Sequence, residues 1–290
     1  MKNSIFIFLL ILFSINLLSC GDNKMQIKSL NWNGHKIYYE TRNSKSQKTL
    51  FFVHGWTASA ECWKYQLDSF TDYNVIAIDL PGNGRSSKNE EKEYTMELFA
   101  DSCIEVLKKE NIEKAFFLGH SMGFSVAEII SQKYPQKCAG IACIDGAHFE
   151  LSANPEERAQ WIEYNRYFVK TLEQEKGRDD FINMLFLTDT PELLKEEVLN
   201  TSRQVPLSIG RSMIASAETD MKFWEKRVMN IPCLAIHTEV YRLTPEYKTD
   251  FMKMYPKAEY HEVQGFSHFF MMEIPYKTNQ IIADYLKKNY

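Results

Sequence analysis

The chain is short of the features that mark several kinds of chemistry. It carries six cysteines in 290 residues, and the five after Cys20 (Cys62, Cys103, Cys138, Cys143 and Cys233) match no zinc-binding spacing. Neither a phosphate-cradling loop nor a dinucleotide fingerprint occurs, so no metal and no cofactor is expected. The net charge is −4, with no basic excess to attract nucleic acid. Nine prolines and twelve glycines are too few for a disordered chain, and there is no internal repeat or low-complexity tract. Five cysteines is an odd number, and Cys143 and Cys233 sit inside apolar runs, where a free thiol packs as a small hydrophobe. No essential disulfide is expected. What the chain does have is 44% hydrophobic content, enough to bury one large core or two modest ones.

The first twenty residues stand apart. Lys2 precedes the apolar run Ile5–Phe13, and Leu17-Leu18-Ser19-Cys20 closes the segment. A short charged start and an apolar stretch of this length suit a signal sequence better than a spanning helix. The Leu-Leu-Ser-Cys ending resembles the bacterial lipoprotein cleavage box, in which the cysteine receives lipid and becomes the first residue. The expectation is a signal peptide over 1–19, a lipidated Cys20 with a tether to 26, and a folded domain over 27–290. Such a protein is exported and held at a membrane surface, facing the periplasm or the cell exterior. An ordinary cleaved signal peptide and a secreted protein is the alternative.

From residue 27 onward, short apolar runs alternate with segments of helical spacing. A hairpin is expected at 27–32 and 36–41 around Asn33-Gly34, a favoured tight turn. Strands follow at 50–53, 75–78, 115–118, 140–144, 232–237 and 257–263. Helical spacing falls at 60–70, 95–109, 122–133 and 275–288. Strands that are apolar throughout, alternating with helices, imply a mostly parallel sheet covered on both faces. The alternation breaks between 146 and 229, after the sixth strand. That interval is rich in helix formers and aromatics, among them Trp161, Tyr164, Tyr167, Phe168, Phe181 and Trp224. It reads as a helical lid whose aromatics form its own small core, a substrate pocket, or both. The core of the domain is then 27–145 and 230–290.

Gly119-His120-Ser121-Met122-Gly123 fits Gly-x-Ser-x-Gly, with an apolar strand before it and a helix after it. A serine hydroxyl needs a neighbouring base before it attacks anything. A sharp strand-to-helix turn lifts it clear of the backbone, and small residues on both sides make that turn possible. Four stretches, FFVHGWTAS (51–59), VIAIDLPGNGRSS (75–87), FLGHSMG (117–123) and VQGFSHFFMMEIP (263–275), together resemble the α/β-hydrolase family from about residue 26 onward. Asn83 stands where relatives often carry His, in a turn not expected to do chemistry.

The resemblance implies roles position by position. Ser121 is the expected nucleophile and His268, between the last strand and the last helix, the general base. The backbone N–H groups of Trp56 and Met122 are the expected oxyanion hole. His54 and His120 belong to motifs and are expected to shape loops. The acid is less direct. Most relatives place an Asp in the loop after the strand at 232–237, but by the family's spacing that position holds Tyr241, which cannot serve near neutral pH. Glu239 is close but two residues early. Some relatives put the acid at the end of the preceding strand, where this chain has Asp145. Asp145 is the first candidate, with Glu239 the alternative and a purely turn-holding or helix-capping Asp145 also open.

These residues suggest hydrolysis of a carboxylic ester or related acyl compound, partly apolar, through an acyl-enzyme. Carbon–carbon bond hydrolysis or peptidase action by the same residues is the alternative, and a non-catalytic binding protein of this fold a third reading. An Asp nucleophile would instead suggest epoxide or carbon–halogen hydrolysis.

Overall fold

The computed structural model describes residues 24–44, 46–146, 154–225, 227–238 and 245–290. The expected signal peptide, Cys20, His148, Glu239 and Tyr241 lie outside the described residues. The strands are β1 (Gln26–Trp32), β2 (His35–Arg42), β3 (Thr49–Val53), β4 (Asn74–Asp79), β5 (Ala115–His120), β6 (Cys138–Ile144), β7 (Cys233–His237) and β8 (Ala258–Glu262). They form one sheet in the order β1-β2-β4-β3-β5-β6-β7-β8. From β4 to β8 every neighbouring pair is parallel, whereas β1 and β2 join antiparallel. Asn33 and Gly34 carry the positive φ angles of 49° and 75° that a two-residue turn needs to match the twist of its strands.

The helices outside the lid are α1 (Lys64–Ser69), α2 (Met96–Lys109), α3 (Met122–Lys133), α8 (Pro245–Met254), α9 (Phe270–Glu273) and α10 (Pro275–Asn289). Alternation along the strands sorts the core into two layers. Phe51, Val53, Ile76 and Ile78 face Phe99, Val106, Val126 and Phe251 of α2, α3 and α8. Leu50, Phe52, Val75 and Ala77 face Leu67, Ile282 and Tyr285 of α1 and α10. This is the α/β-hydrolase fold, with its sheet covered on both sides.

Several local features depart from the sequence reading. The run at 60–70 divides into a 3-10 turn (Ala60–Trp63) and α1, and Asp79 Oδ1 accepts the Ala60 N–H at the turn's start at 2.8 Å. The last strand is not apolar throughout: β8 reads Ala-Glu-Tyr-His-Glu and is half-exposed, as suits a sheet edge. Helix α8 has no counterpart in the sequence reading.

The lid connects β6 to β7 and consists of α4 (Pro155–Thr171), α5 (Glu175–Asn183), α6 (Glu192–Arg203) and α7 (Leu207–Ala215). Trp224 is buried with Trp161 against its edge, and Phe181 packs on Phe168. Tyr164 and Tyr167 are 69% and 68% exposed, so they serve neither the lid's core nor a pocket.

Candidate active site

Ser121, Asp145 and Thr238 stand in a row, one residue beyond the C-terminal ends of β5, β6 and β7. The sheet's hydrogen bonding continues past the strand ends to hold them. Ser121 N–H donates to Ile144 O at 3.0 Å, and Asp145 N–H donates to Ile236 O at 2.8 Å. Ligands of open parallel sheets gather at this edge.

Ser121 has φ 53° and ψ −122°, a conformation that side chains rarely adopt, and it opens α3. The two flanking glycines are required by space. A Cβ on Gly119 would drive into the Gly123 carbonyl, and one on Gly123 into the Val53 carbonyl. The helix start leaves the Met122 N–H without an intrahelical acceptor.

The loop after β3 approaches from the other side, close enough that a Cβ on Gly55 would sit 3.0 Å from the Ser121 Cβ. His54 fixes this loop. Its Nδ1–H donates to Gly55 O at 2.7 Å, and its Nε2 accepts from Leu80 N–H at 3.0 Å. Ala58 N–H reaches the same Gly55 carbonyl at 3.3 Å. Since a trans peptide sets C=O and N–H antiparallel, anchoring the Gly55 carbonyl also fixes the direction of the Trp56 N–H. The Trp56 side chain lines the cavity, packs edge-on to Phe181, and donates Nε1–H to Gly210 O of α7 at 2.8 Å. Thr57 holds a positive φ of 51°, strain for a β-branched residue, and its hydroxyl bonds Ser202 of α6 at 2.8 Å.

His268 and Asp145 meet directly. His268 Nδ1–H donates to Asp145 Oδ2 at 2.7 Å, with both side chains buried. Thr238 binds the same carboxylate twice, N–H to Oδ1 at 2.7 Å and Oγ1–H to Oδ2 at 2.9 Å. Burial pushes the Asp145 pKa up, but the His268 bond, its charge and the Thr238 N–H outweigh this and leave it below the usual carboxylate value. Three supports hold the His268 segment. Leu185 O of the lid accepts its N–H at 3.0 Å, His120 Nε2–H donates to its carbonyl at 3.0 Å, and Glu273 binds the Ser267 N–H at 2.8 Å.

Ser121, His268, His120 and Trp56 line one cavity, walled by Phe181, Leu185, Phe269 and Met272. Of the sequence candidates, Ser121, His268 and Trp56 line that cavity, Asp145 is bonded behind His268, and Met122 follows Ser121 at the start of α3. Glu239 lies outside the described residues. Asp145 does not cap the first lid helix; Asn154 does, accepting from Glu156 N–H at 2.9 Å. Among the other histidines, His35 is buried away from this cluster, and His261 lies on the edge strand beside Glu259. Sequence reasoning passed over Thr238, Leu185 and Glu273. Two of these act through backbone atoms or across the lid and leave no motif. Asn83 is buried in its turn, donating to Pro81 O at 3.1 Å. The five cysteines among the described residues are buried and free. Among the described residues, no three His, Cys, Asp or Glu side chains converge as a metal would require.

A family model described as alpha/beta hydrolase fold matches residues 48–273. The chain is 24% identical over 270 residues to the uncharacterized hydrolase YugF of Bacillus subtilis, a match covering 90% of this chain and 98% of that one. It is 32% identical to epoxide hydrolase B of Mycobacterium tuberculosis over 120 residues, only 40% of this chain and 34% of that protein. A thermophilic esterase from Thermogutta terrifontis superposes with a TM-score of 0.73 at 20% identity, covering 91% of this chain and 98% of the other. The family model covers well over half of the sequence, so this chain belongs to the α/β-hydrolase fold family and is a hydrolase.

Proposed function

We propose that this hydrolase cleaves a carboxylic ester, or a related acyl compound, through an acyl-enzyme on Ser121. Ser121 Oγ attacks the acyl carbon while His268 Nε2 takes its proton. The carbonyl electron pair moves onto oxygen, where the Trp56 and Met122 N–H groups receive the charge. When that pair returns, the alcohol leaves with the proton from His268. Water then repeats the sequence and releases the acid. Asp145 stays ionised throughout, accepting from Nδ1–H so that the lone pair of Nε2 is free for the serine.

The observation that carries this reading is the 2.7 Å bond between buried Asp145 and His268, and His268 lines the same cavity as Ser121. The apolar walls favour an acyl or aromatic ester over a highly charged substrate. Epoxide opening fits less well, although some relatives bear that name. A serine that attacked an epoxide carbon would form an ether, which water cannot release as it releases an ester.

The test is hydrolysis of a p-nitrophenyl ester series by the chain from residue 21 onward. Ser121→Ala and Asp145→Asn should each lower kcat about a thousandfold or more, with Glu239→Gln close to unmodified protein. A damaging Glu239→Gln with a mild Asp145→Asn would move the acid to the other loop. No cleavage of any ester by the unmodified chain would remove the substrate class and favour a binding role.

Export completes the reading, with lipid on Cys20 tethering the domain to a membrane surface. Mass spectrometry of the mature N-terminus checks it. A diacylated cysteine in the membrane fraction, lost in Cys20→Ser, is expected, and an unmodified secreted product would replace it with the ordinary signal peptide.

A further inference from the structure

We infer that His237 is a positioning residue that, with Thr238, clamps the Asp145–Gly146 turn so that the carboxylate meets His268. The inference rests on the reading of Asp145 as the acid that orients His268.

Three consecutive residues at the end of β7 each hold that turn. Ile236 O accepts the Asp145 N–H at 2.8 Å. His237 Nε2–H donates to the Gly146 carbonyl at 3.0 Å. Thr238 binds both carboxylate oxygens, at 2.7 and 2.9 Å. Tyr247 adds a second donor to the Gly146 carbonyl at 3.3 Å. Asp145 needs such a frame because its φ is 47°, a left-handed conformation that a non-glycine residue keeps only where its surroundings over-determine it. A side chain at 146 has no room in this turn, since a Cβ there would lie 2.5 Å from the Phe124 Cβ.

The chemistry of His237 separates clamping from mere filling. The ring is buried, stacked on Tyr260 at 5.0 Å and edge-on to Tyr247 and Phe251. Its Nδ1 is buried with no hydrogen-bond partner among the described residues, a cost that a phenyl ring in the same aromatic box would not incur. What the imidazole adds is the Nε2–H, and that points at Gly146 O, with Cys143 Sγ also 3.5 Å away. Burial keeps the ring neutral against the pull of Asp145, the Gly146 bond and Glu262, while His268 opposes protonation from the same side. A neutral ring donating from Nε2 has one tautomer and one direction.

The loop after β7 is where most of the family carries its acid. Here the residues that begin that loop hold, by backbone and side chain, a carboxylate contributed by the strand beside it.

The experiment compares unmodified protein with His237→Phe, His237→Gln, Thr238→Val and Thr238→Ser. One readout is the low-field proton resonance of the His268 Nδ1–H, assigned by its loss in Asp145→Asn. The other is kcat and KM on a p-nitrophenyl ester. His237→Phe should fold, shift or broaden the resonance, and lower kcat about tenfold with KM within about twofold. His237→Gln, which restores a donor, should recover most of kcat. Thr238→Val, which removes a bond to a charged group, should cost about tenfold to a hundredfold, and Thr238→Ser should restore it. An unaltered resonance and kcat in His237→Phe would overturn the clamp, as would His237→Gln failing as badly as His237→Phe. If the unmodified protein cleaves no ester, the proposed activity fails separately, and the resonance alone decides the clamp.

Discussion

The imidazole of His120 lies 4.4 Å, centroid to centroid, from that of His268 and gives its one Nε2–H to the His268 carbonyl. Burial, and after it the neighbouring His268, lowers its pKa to about 3. The ring is therefore neutral at physiological pH, with its Nε2–H given to the His268 carbonyl. Its effect on stability has a definite sign. The unfolded chain binds the proton near 6.5 while the folded chain resists it down to about 3, so stability is lost as pH falls through that window. The slope is about 1.4 kcal/mol per pH unit from this side chain. Buried His54 and His237, also shifted down, act in the same direction. Urea unfolding at pH 7, 5.5 and 4 should show a shallower decline for His120→Gln than for unmodified protein.

At the scale of elements, the serine turn and the start of α2 each depend on specific contacts with a neighbouring element. Gly123→Ala should destabilise by about 3 kcal/mol, measured by denaturant unfolding, because the added methyl meets the Val53 carbonyl of the neighbouring strand. Helix α2 is capped twice. Thr95 Oγ1 accepts from Leu98 N–H at 3.0 Å, and Asp220, from beyond the lid's last helix, accepts from Met96 N–H at 2.8 Å. Burial raises the Asp220 pKa to about 6, against the helix N–H that favours its charge. An acid with a raised folded pKa gains stability as pH falls from about 6 towards the unfolded value of 3.8. Asp220→Asn keeps an acceptor, so it should be more stabilising relative to unmodified protein at pH 8 than at pH 5. Asp220→Ala should cost about 1 kcal/mol through the lost cap. Melting curves at the two pH values separate these outcomes.

Across the whole molecule, the lid is fastened to the same segments that form the site. Leu185 O holds the His268 N–H, Gly210 O holds the Trp56 indole, Ser202 bonds Thr57, and Glu197 of α6 pairs with Lys64 of α1 at 2.7 Å. Lid and site therefore share hydrogen bonds, and loosening one should be felt by the other. Trp56→Phe keeps a ring in the cavity and removes the bond to Gly210. Amide hydrogen exchange should quicken in α7, by the roughly 1 kcal/mol that one such bond contributes, while β3 to β7 stay protected.

Most of the sheet was legible in the sequence because β3 to β7 are buried on both faces, and such strands must be apolar along their whole length. Ser121 was legible because a strained turn tolerates only glycine at 119 and 123, and His268 because it follows the last strand. The acid was not. Local sequence offers Asp145 and Glu239 within reach of neighbouring loops, and only the pairing of β6 beside β7 brings Asp145 under His268 with Thr238 at its oxygens. The exposed Tyr164 and Tyr167, the polar edge strand β8 and the lid's backbone bond to His268 were equally hidden. Each depends on which neighbour an element meets in space, a relation that periodicity along one chain does not carry.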